Sequence, residues 1–427
     1  MKVLLLAQFF PPDIGGEERH VLNLSTALAG RGHEVAVATL RLPGTDEREV
    51  LPSGVTVHRL PSTAMRLPGL YRDSNRPHHP PVPDPLVVRA LRPVVAAHRP
   101  DVVHAHNWIV NSALALRSGP FARRSHSADS PGARRPFGLV LTLHDYSHVC
   151  ATKRMMRDGR PCPGPSPRRC PACVLAHYGP LTGPITLVAT TTMRPWKSHG
   201  VDHIVSVSRA VADGNGVAGL GVPSSVIPNF VPDDVMDTPP PDPTVLRDLP
   251  EGGYLLFVGD LSQEKGVHTL LRAYDRLGPD RPPLVLVGRR LPGLPDTLPV
   301  GARIVESLPH AAVIEAFRRC LAAVLPSTWP DPCPTTVLEA MAAGRPVITT
   351  AIGGMLDMVE DGVSGLLVEP GDEAGLAHAV QRLLGEPGLA ERLGRGGLTG
   401  LAGFRAPAVV SRLESVYLSV ADRVPVG

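Results

Sequence analysis

The chain contains little lysine: only four of its 43 lysine and arginine residues are lysine, a bias that we attribute to codon usage. Its net charge of +3 is too small to require nucleic acid as a partner, and we expect none. No unbroken run reaches the roughly 18 apolar residues of a membrane-spanning helix. Six cysteines in 427 residues are too few for a disulfide scaffold. These absences leave an ordinary enzyme or binding protein as the main classes.

Hydrophobic residues make up 43% of the chain and charged residues 19%, as in globular proteins. A single core rarely grows beyond about 250–300 residues, so the length predicts at least two domains. The short apolar run at the N-terminus ends at Pro11 and Pro12 and is typical of a first strand rather than of a signal peptide. We therefore expect a cytoplasmic location and leave open a peripheral contact with the inner membrane face.

Short apolar runs alternate with amphipathic stretches along the whole chain, as expected for strands of a parallel sheet that are buried on both faces. Residues 17–32 have the periodicity of a helix and end at glycine. This order predicts an α/β fold with two Rossmann-like, doubly wound parallel sheets. The predicted strands are 2–8, 34–40, 101–105, 138–144 and 202–208 in the first half, and 254–259, 284–288, 322–326, 346–350 and 365–369 in the second.

We divide the chain into an N-terminal domain (1–230) and a C-terminal domain (254–405). Residues 231–253 are rich in proline and aspartate and are predicted to be a linker. Residues 406–427 are predicted to begin as an amphipathic helix that packs back on the N-terminal domain. Two such domains would leave a cleft, and parallel sheets bind ligands at the carboxyl ends of their strands.

Two strand ends offer anion-binding chemistry. Gly15 and Gly16 precede the first helix, whose free amides and dipole suit an anion, although an ordinary strand-to-helix turn has the same pattern. Lys265 precedes a helix after the strand at 254–259 and could hold a phosphate, or it could be a solvated loop lysine.

The stretch 325–354 offers two carboxylates. Asp331 lies in a loop after a predicted strand, and Glu339 lies about one turn into a helix predicted from Thr335 to Ala343. Carboxylates so placed can accept hydrogen bonds from separate hydroxyls of one extended ligand. The alternative is an acid that offsets the helix dipole, together with a solvated glutamate.

This stretch resembles the acid, seven residues, Glu-Ala-Met-Ala-x-Gly-x-Pro-Val-Ile motif of the family-4 retaining glycosyltransferases of GT-B fold, also called glycosyl transferases group 1. The resemblance covers nearly the whole chain. It implies transfer of a sugar from a nucleotide-diphosphate sugar to an acceptor hydroxyl with retention of anomeric configuration, without a catalytic metal. The other matching segments are Gly15-Gly16, PDVVHAHN (100–107), TLHD (142–145), VSVSRAV (205–211), VIPN (226–229), VGDLSQEKG (258–266) and GGMLDMVEDGVSGLLVEPGD (353–372).

The resemblance implies a role for each matching residue. Glu339 would accept bonds from the ribose hydroxyls, and Asp331 would hold hydroxyls of the donor sugar. Lys265 and the amides of Gly15 and Gly16 would neutralise the diphosphate, whose charge grows as the glycosidic bond breaks.

Two further positions complete the site that the resemblance implies. His144 would contact the donor sugar near the reacting centre, so that His144 and Asp331 are the candidate catalytic residues. Gly353 and Gly354 would let the backbone approach the sugar.

The chain departs from the family pattern at two acids. Asp331 stands where the family usually has Glu, and Asp260 stands where it usually has Arg. The turn Gly288-Arg289-Arg290 also differs from the usual pattern, and either arginine could replace the missing charge. These departures keep open a non-catalytic or weakly active nucleotide-sugar-binding relative. A nicotinamide-dependent oxidoreductase is disfavoured because no G-x-G-x-x-G follows either first strand. The acceptor, whether a glycan, a lipid-linked sugar or a small molecule, is not predicted.

Four of the six cysteines fall within 24 residues, at Cys150, Cys162, Cys170 and Cys173. The final C-x2-C is a common half of a zinc site, and four thiolates could close a structural zinc site in this loop. Free thiols are the second interpretation, and two disulfides the third, because the cytoplasm is reducing.

Overall fold

The computed structural model describes residues 1–12, 15–67, 78–118, 135–306 and 308–422. Over these residues the chain divides into two units. Unit 1 comprises Met1–Met155, Cys162–Pro228 and Val409–Gly427, and unit 2 comprises Met156–Pro161 and Asn229–Ala408. Each unit is built around its own parallel sheet.

Unit 1 contains an eight-stranded sheet in the order β10-β9-β6-β5-β1-β2-β4-β3. All neighbouring strands are parallel except β3, which runs antiparallel to β4 at the edge. The central strands are apolar and buried along most of their length because helices cover both faces. The strands of this sheet are β1 Lys2–Leu6, β2 Glu34–Leu40, β3 Arg48–Val50, β4 Thr56–Leu60, β5 Val102–His106, β6 Gly138–Leu143, β9 His203–Ser206 and β10 Ser224–Val226. Strands β7 Met156–Arg157 and β8 Arg160–Pro161 form a separate hairpin that belongs to unit 2.

The helices of unit 1 connect these strands. The first, α1, has Val21, Leu24 and Leu28 buried on one face, which is the periodicity expected of a helix on a sheet. The helices before the second unit are α1 Gly16–Gly30, α2 Pro85–His98, α3 Val110–Ser118, α4 Cys170–Gly200 and α5 Arg209–Gly214, with 3-10 turns at Ala64–Arg66, Asn107–Ile109 and Val217–Leu220.

Helix α4 differs from anything that the sequence predicted. It spans 31 residues and bends at Gly179, whose φ of 81° and ψ of 179° interrupt the helical backbone. By length and composition α4 is apolar enough to cross a membrane. The search for an unbroken apolar run missed it because proline, glycine and threonine are interspersed among its aliphatic residues.

Unit 2 contains a six-stranded, fully parallel sheet in the order β13-β12-β11-β14-β15-β16. Its strands β11 Leu255–Val258, β12 Leu284–Val287, β13 Ala302–Val305, β14 Ala322–Leu325, β15 Val347–Thr350 and β16 Leu366–Val368 match the predicted apolar runs apart from β13. Its helices are α6 Val267–Asp275, α7 His310–Arg319, α8 Thr335–Ala342, α9 Met355–Met358, α10 Glu373–Gly385 and α11 Leu389–Gly400, with 3-10 turns at Val235–Asp237, Pro243–Leu246 and Leu401–Phe404. The predicted α/β, doubly wound fold class is confirmed.

The segment 231–253 is not the unpacked linker that its composition suggested. Val235, Leu246 and Leu249 are buried, and the segment belongs to unit 2. Proline and aspartate still form short 3-10 turns here, and the few aliphatic residues between them supply enough apolar surface to pack.

The last helix, α12 Ala406–Ala421, belongs to unit 1 from Val409 onward. Tyr417 is buried and its hydroxyl lies 2.7 Å from Nδ1 of His104. Arg31 at the end of α1 forms a two-pronged ion pair with Glu414. The helix is therefore held to unit 1 by a buried polar bond as well as by apolar packing.

Candidate functional site

The predicted site residues fall into two groups, one in each unit. In unit 2, the residues follow the carboxyl ends of β11, β14 and β15, which are neighbours in the sheet. In unit 1, they follow β1 and β6. Each group is described by itself.

Lys265 and Asp331 form an ion pair in unit 2, Nζ to Oδ2. Asp331 is buried and Lys265 is about one-third exposed, so the pair lies at the edge of solvent. The ammonium also faces the ring of Trp329, 5.6 Å from its centroid. The sequence assigned these two residues separate roles, and the structure places them in direct contact.

Glycine holds the two ends of this pair in place. Gly266 has a φ of 78°, and a Cβ there would overlap the carbonyl oxygen of Pro326, so the lysine turn lies directly against the end of β14. Gly353 has a φ of 63°, and its Cβ would lie 2.6 Å from the carbonyl oxygen of Asp331, which accepts a hydrogen bond from Gly354 N at 2.7 Å. Gly353 and Gly354, the two glycines predicted to let the backbone approach a sugar, are thus required by close backbone packing in the free protein.

Glu339 is buried in α8 and accepts a hydrogen bond from Nε2 of His310 at 2.9 Å. His310 is the first residue of α7 and is about one-third exposed. Sequence reasoning missed His310, because it lies 29 residues before its partner and belongs to none of the matching segments. This hydrogen bond orients the buried carboxylate of Glu339.

Asp260 is paired with Arg289 in the turns after β11 and β12. The guanidinium contacts both carboxylate oxygens, at 3.3 and 3.1 Å, and both side chains are exposed. The neighbouring Arg290 donates to the carbonyl of Pro295. Of the two arginines considered as the missing cation, Arg289 is therefore offset by the acid that replaces the family arginine.

His144 is buried at the end of β6, and its Nε2 lies 2.8 Å from Nδ1 of His106. The two rings stack at 5.1 Å, and His20 contacts His144 edge-on at 5.2 Å. Burial, followed by the neighbouring histidines, lowers the pKa of His144 and of His106 well below the ordinary value. Both imidazoles are consequently neutral at physiological pH, so one donates the shared hydrogen bond and the other accepts it.

Asn107 links His144 to two carboxylates. Its Oδ1 accepts the backbone N–H of His144 at 3.0 Å, and its Nδ2 donates to Glu17 at 2.8 Å and lies 3.5 Å from Asp145. The φ of Asn107 is 54°, a left-handed conformation that asparagine tolerates better than most residues. Burial, and then the charges of Glu18 and Asp145, raise the pKa of Glu17 to about 8. Asn107 and Glu17 are further candidates for site residues, and only the motif at 100–107 could have pointed to the first.

The glycines at the start of α1 lie beside carboxylates. Gly15 is the N-cap of α1, and its ideal Cβ would lie 2.6 Å from Oε2 of Glu18. Glu17 and Glu18 both lie in the first helical turn. Gly16 has open space around its Cβ position. Because the pKa of Glu17 is raised to about 8, Glu18 is the acid that can offset the helix dipole here, next to the amides expected to hold a diphosphate.

The four clustered cysteines lie in unit 1 without a disulfide bond, and their sulfur atoms have different partners. Cys150 Sγ lies 3.3 Å from the hydroxyl of Thr152, Cys162 Sγ lies 3.5 Å from the carbonyl of Gly164, and Cys170 Sγ accepts the N–H of Ser166 at 3.2 Å. Burial, with a contribution from the other three cysteines, raises the pKa of Cys173. Among the residues that the structure describes, no group of three or more His, Cys, Asp or Glu side chains is arranged to hold a metal ion. The structure thus shows the thiols as neighbours without a ligand geometry, and structural zinc stays a prediction.

Two parallel sheets with polar residues at the carboxyl ends of their strands indicate a class of two-domain α/β protein. Comparison with known proteins identifies the family. Residues 14–235 match the Glycosyltransferase Family 4 profile, and residues 248–398 match that of Glycosyl transferases group 1. The chain belongs to this family and is a glycosyltransferase of GT-B fold.

Individual relatives span the whole chain. Glycogen synthase of Mycobacterium tuberculosis strain H37Rv is 29% identical, and the match covers 98% of this chain and 95% of that protein. D-inositol 3-phosphate glycosyltransferase of Frankia alni is 30% identical, over 92% and 91% of the two chains.

Solved structures share the fold. Sucrose-phosphate synthase from Thermosynechococcus elongatus superposes with a TM-score of 0.71 at 20% identity, covering 99% of this chain and all of that one. Anabaena HepE in complex with UDP-glucose superposes with a TM-score of 0.64 at 19% identity, covering 98% and 100%.

Proposed function

We propose that this glycosyltransferase moves a hexosyl group from a nucleotide-diphosphate sugar to an acceptor hydroxyl and retains the anomeric configuration. The donor class is supported by two structural neighbours, HepE in complex with UDP-glucose and starch synthase IV of Arabidopsis thaliana bound to ADP and acarbose. Both domains of the family are matched along this chain, which supports a complete transferase rather than an isolated binding domain.

The contact between Lys265 and Asp331 is the observation that supports this proposal best. In a nucleotide-diphosphate sugar, the distal phosphate is bonded directly to the sugar. A cation that binds this phosphate and an acceptor that binds the sugar hydroxyls must therefore be neighbours. An ammonium has three donors, and Lys265 can keep its bond to Asp331 while it contacts a phosphate oxygen. Asp331 retains lone pairs for sugar hydroxyls, and Lys265 supplies positive charge where the leaving diphosphate gains negative charge.

Glu339 is assigned to the ribose. A buried carboxylate is an acceptor only, and each of its oxygens can accept more than one hydrogen bond, so a diol is a suitable partner beside His310. The N-terminal amides of α8 lie between Asp331 and Glu339 in the chain and can hold the proximal phosphate.

In unit 1, we assign the contact with the donor sugar near the reacting carbon to His144. A neutral imidazole can exchange hydrogen bonds with a sugar hydroxyl without adding a charge next to the reacting carbon. No part of this scheme requires a catalytic metal, because Lys265 supplies the positive charge at the diphosphate. The amides of Gly15 and Gly16 remain a predicted phosphate contact. A cytoplasmic location remains a prediction.

The first test measures binding and turnover of UDP-, ADP- and GDP-sugars by the same protein. We expect one nucleotide to raise the thermal midpoint, and a hundredfold excess over its Kd would stabilise the protein by about 2.7 kcal/mol. Release of the nucleoside diphosphate, followed by NMR of the product's anomeric proton, tests transfer and retention. Binding without turnover of any donor, across glycan, lipid-linked and small-molecule acceptors, would support a non-catalytic relative instead.

Variants test the assignment. Asp331→Asn should lower kcat and leave the nucleoside diphosphate bound, since the sugar contact is lost while the nucleotide contacts remain. Lys265→Met should weaken both binding and turnover. Lys2→Met is the matched control, because Lys2 pairs with Glu34 on the exposed surface of unit 1. Equal kinetics for Lys265→Met and Lys2→Met would overturn the phosphate site.

A further inference from the structure

One face of helix α4 exposes aliphatic side chains to solvent. Leu181, Ile185 and Val188 are 74%, 69% and 61% exposed. Their spacing of four and three residues places them on the same side of the helix. Single exposed apolar residues are common, but a contiguous row of them marks an interaction surface.

Other exposed apolar residues lie on both segments of α4, and the exposed side continues through Thr191 and Thr192 toward the last turn. We use the name α4 apolar face for the exposed residues Pro171, Ala172, Leu175, Ala176, Pro180, Leu181, Pro184, Ile185 and Val188. None of them is charged or carries a polar side chain. The opposite side of the helix is buried, at Val174, Gly183, Thr186, Ala189 and Thr190. The helix therefore lies on unit 1 by one side and presents the α4 apolar face outward.

The backbone of α4 excludes a straight transmembrane helix. The non-helical conformation of Gly179 separates a short first segment from a longer second one. The two segments also approach each other, because an ideal Cβ on Gly183 would lie 2.6 Å from the carbonyl oxygen of Val174. The longer segment, 180–200, has the roughly 20 residues that a span needs, but a lone spanning helix faces lipid on all sides, whereas one side of this segment is buried. Helix α4 has one apolar side only and suits a surface rather than the interior of a bilayer.

The charged residues within α4 and just before it in the sequence are all basic. Residues 163–201 contain no aspartate or glutamate, whereas Arg168 and Arg169 precede the helix and Arg194 lies near its end. Arg168 and His199 are exposed, and Trp196 is half-buried in the last turn. Basic residues at the ends of an apolar helical face complement the negative surface of anionic phospholipids, and tryptophan favours the headgroup region.

We propose that the α4 apolar face docks on the surface of a bilayer that contains anionic phospholipid, with the helix lying in the plane of the interface. The aliphatic side chains enter the boundary between headgroups and acyl chains, and the flanking arginines contact the headgroups. This inference does not depend on the proposed sugar transfer, since neither Lys265 nor His144 contributes to the surface.

Flotation of the full chain with vesicles tests the proposal. The probes are 100-nm vesicles of phosphatidylcholine alone and of phosphatidylcholine with about 30% phosphatidylglycerol. We expect binding to the anionic vesicles, weaker binding to the neutral ones, and a decrease at high salt. Leu181→Asp with Ile185→Asp should reduce the partition coefficient at least about tenfold. Val300→Asp with Leu384→Asp, two exposed aliphatic positions in unit 2, is the matched control and should bind like wild type.

A second readout needs no change in the apolar face. Brominated phospholipids quench tryptophan within the interface, and we expect quenching in the wild-type chain that is lost in Trp196→Phe. Failure of the wild-type chain to float with anionic vesicles, or equal flotation of the double aspartate variant with normal folding, would overturn the proposal. Light scattering provides the remaining outcome: a wild-type dimer that the double variant converts to monomer, without vesicle binding, would assign the face to a second copy of the chain.

Discussion

Nδ1 of His106 lies 2.8 Å from Nε2 of His144, and the two buried imidazoles are stacked on each other. His106 ends β5 and His144 directly follows β6, so two neighbouring parallel strands bring together residues 38 positions apart. Because both rings are neutral, the bond couples their tautomers: if one ring donates through it, the other must accept. His106 is thus a positioning residue for the candidate catalytic histidine.

Replacement of His106 separates this role from a structural one. His106→Phe keeps a ring of similar size but leaves Nε2 of His144 without this partner, and kcat should fall about tenfold, equivalent to about 1.4 kcal/mol. His106→Asn places an amide near the former Nδ1 and should recover most of the rate. Steady-state kcat and KM for both variants check this, and equal loss in both would favour a purely structural residue.

Glu339→Gln should weaken nucleotide binding while the protein stays folded. The neutral amide can accept fewer hydrogen bonds from a diol, and the expected loss is roughly 1.5–3 kcal/mol, the range for hydrogen bonds to charged groups. His310→Ala is the companion variant and should lose less, since it removes only the group that orients Glu339. Isothermal titration with the nucleoside diphosphate measures both. An unchanged Kd for Glu339→Gln would remove Glu339 from the ribose site.

Asp260 and Arg289 test the departure from the family pattern. We expect Asp260→Ala to tighten donor binding, since it removes an acid near the predicted diphosphate site that also offsets the charge of Arg289. Asp260→Arg should preserve or raise donor affinity for the same reason. The gain should disappear in Asp260→Ala with Arg289→Ala, and should shrink at high salt. Donor KM values for the single and double variants at two salt concentrations give the coupling. Inactivation by Asp260→Ala would show that this carboxylate has a role of its own.

The sequence predicted the strands well because burial on both faces of a parallel sheet requires unbroken apolar runs. The run at 34–40 became β2 with the same bounds, and the helix predicted to begin at residue 406 became α12. The strand Thr56–Leu60, β4, was missed because its sequence TVHRL is neither a continuous nor a clearly alternating apolar run.

Side-chain pairs were beyond the reach of pattern reasoning. Lys265 and Asp331 are 66 residues apart, and they meet because β11 and β14 are neighbours although β12 and β13 lie between them in the chain. No local spacing records that strand order. The α4 apolar face was missed for a different reason, since helical periodicity is broken at Gly179.

The cysteine cluster gives a metal prediction. Protein purified without added metal should contain about one zinc per chain if Cys150, Cys162, Cys170 and Cys173 ligate it, and Cys170→Ser with Cys173→Ser should abolish it. Elemental analysis and limited proteolysis of the loop are the measurements. Cys320→Ser is the control, because Cys320 is a buried thiol outside the cluster. Zinc-free wild-type protein with a protease-resistant loop would rule out structural zinc.

Acid should destabilise unit 1 before unit 2. Among the described residues, the histidines whose pKa is lowered all lie in unit 1, and burial is the main cause for each. The pKa falls to about 4 for His20 and His79, and to about 3 for His78, His104 and His148. These groups are neutral in the folded state and take up protons on unfolding as the pH drops below 6.5.

A lowered histidine pKa contributes stability that is present above pH 6.5 and is lost as the pH falls toward 3 to 4. From pH 7.5 to 5.5 each such histidine should cost about 1.4 kcal/mol of the free energy of unfolding. Glu17 acts in the opposite direction, because its raised pKa favours the folded state as the pH falls from 8 to 4.5. It is a single group, whereas the five histidines named above all contribute less stability as the pH falls over this range. Hydrogen exchange, corrected for intrinsic rates, should therefore show β5 and β6 losing protection at pH 5.5 while β11 and β14 in unit 2 keep theirs. Equal loss in both sheets would mean that the buried histidines do not control the acid stability of unit 1.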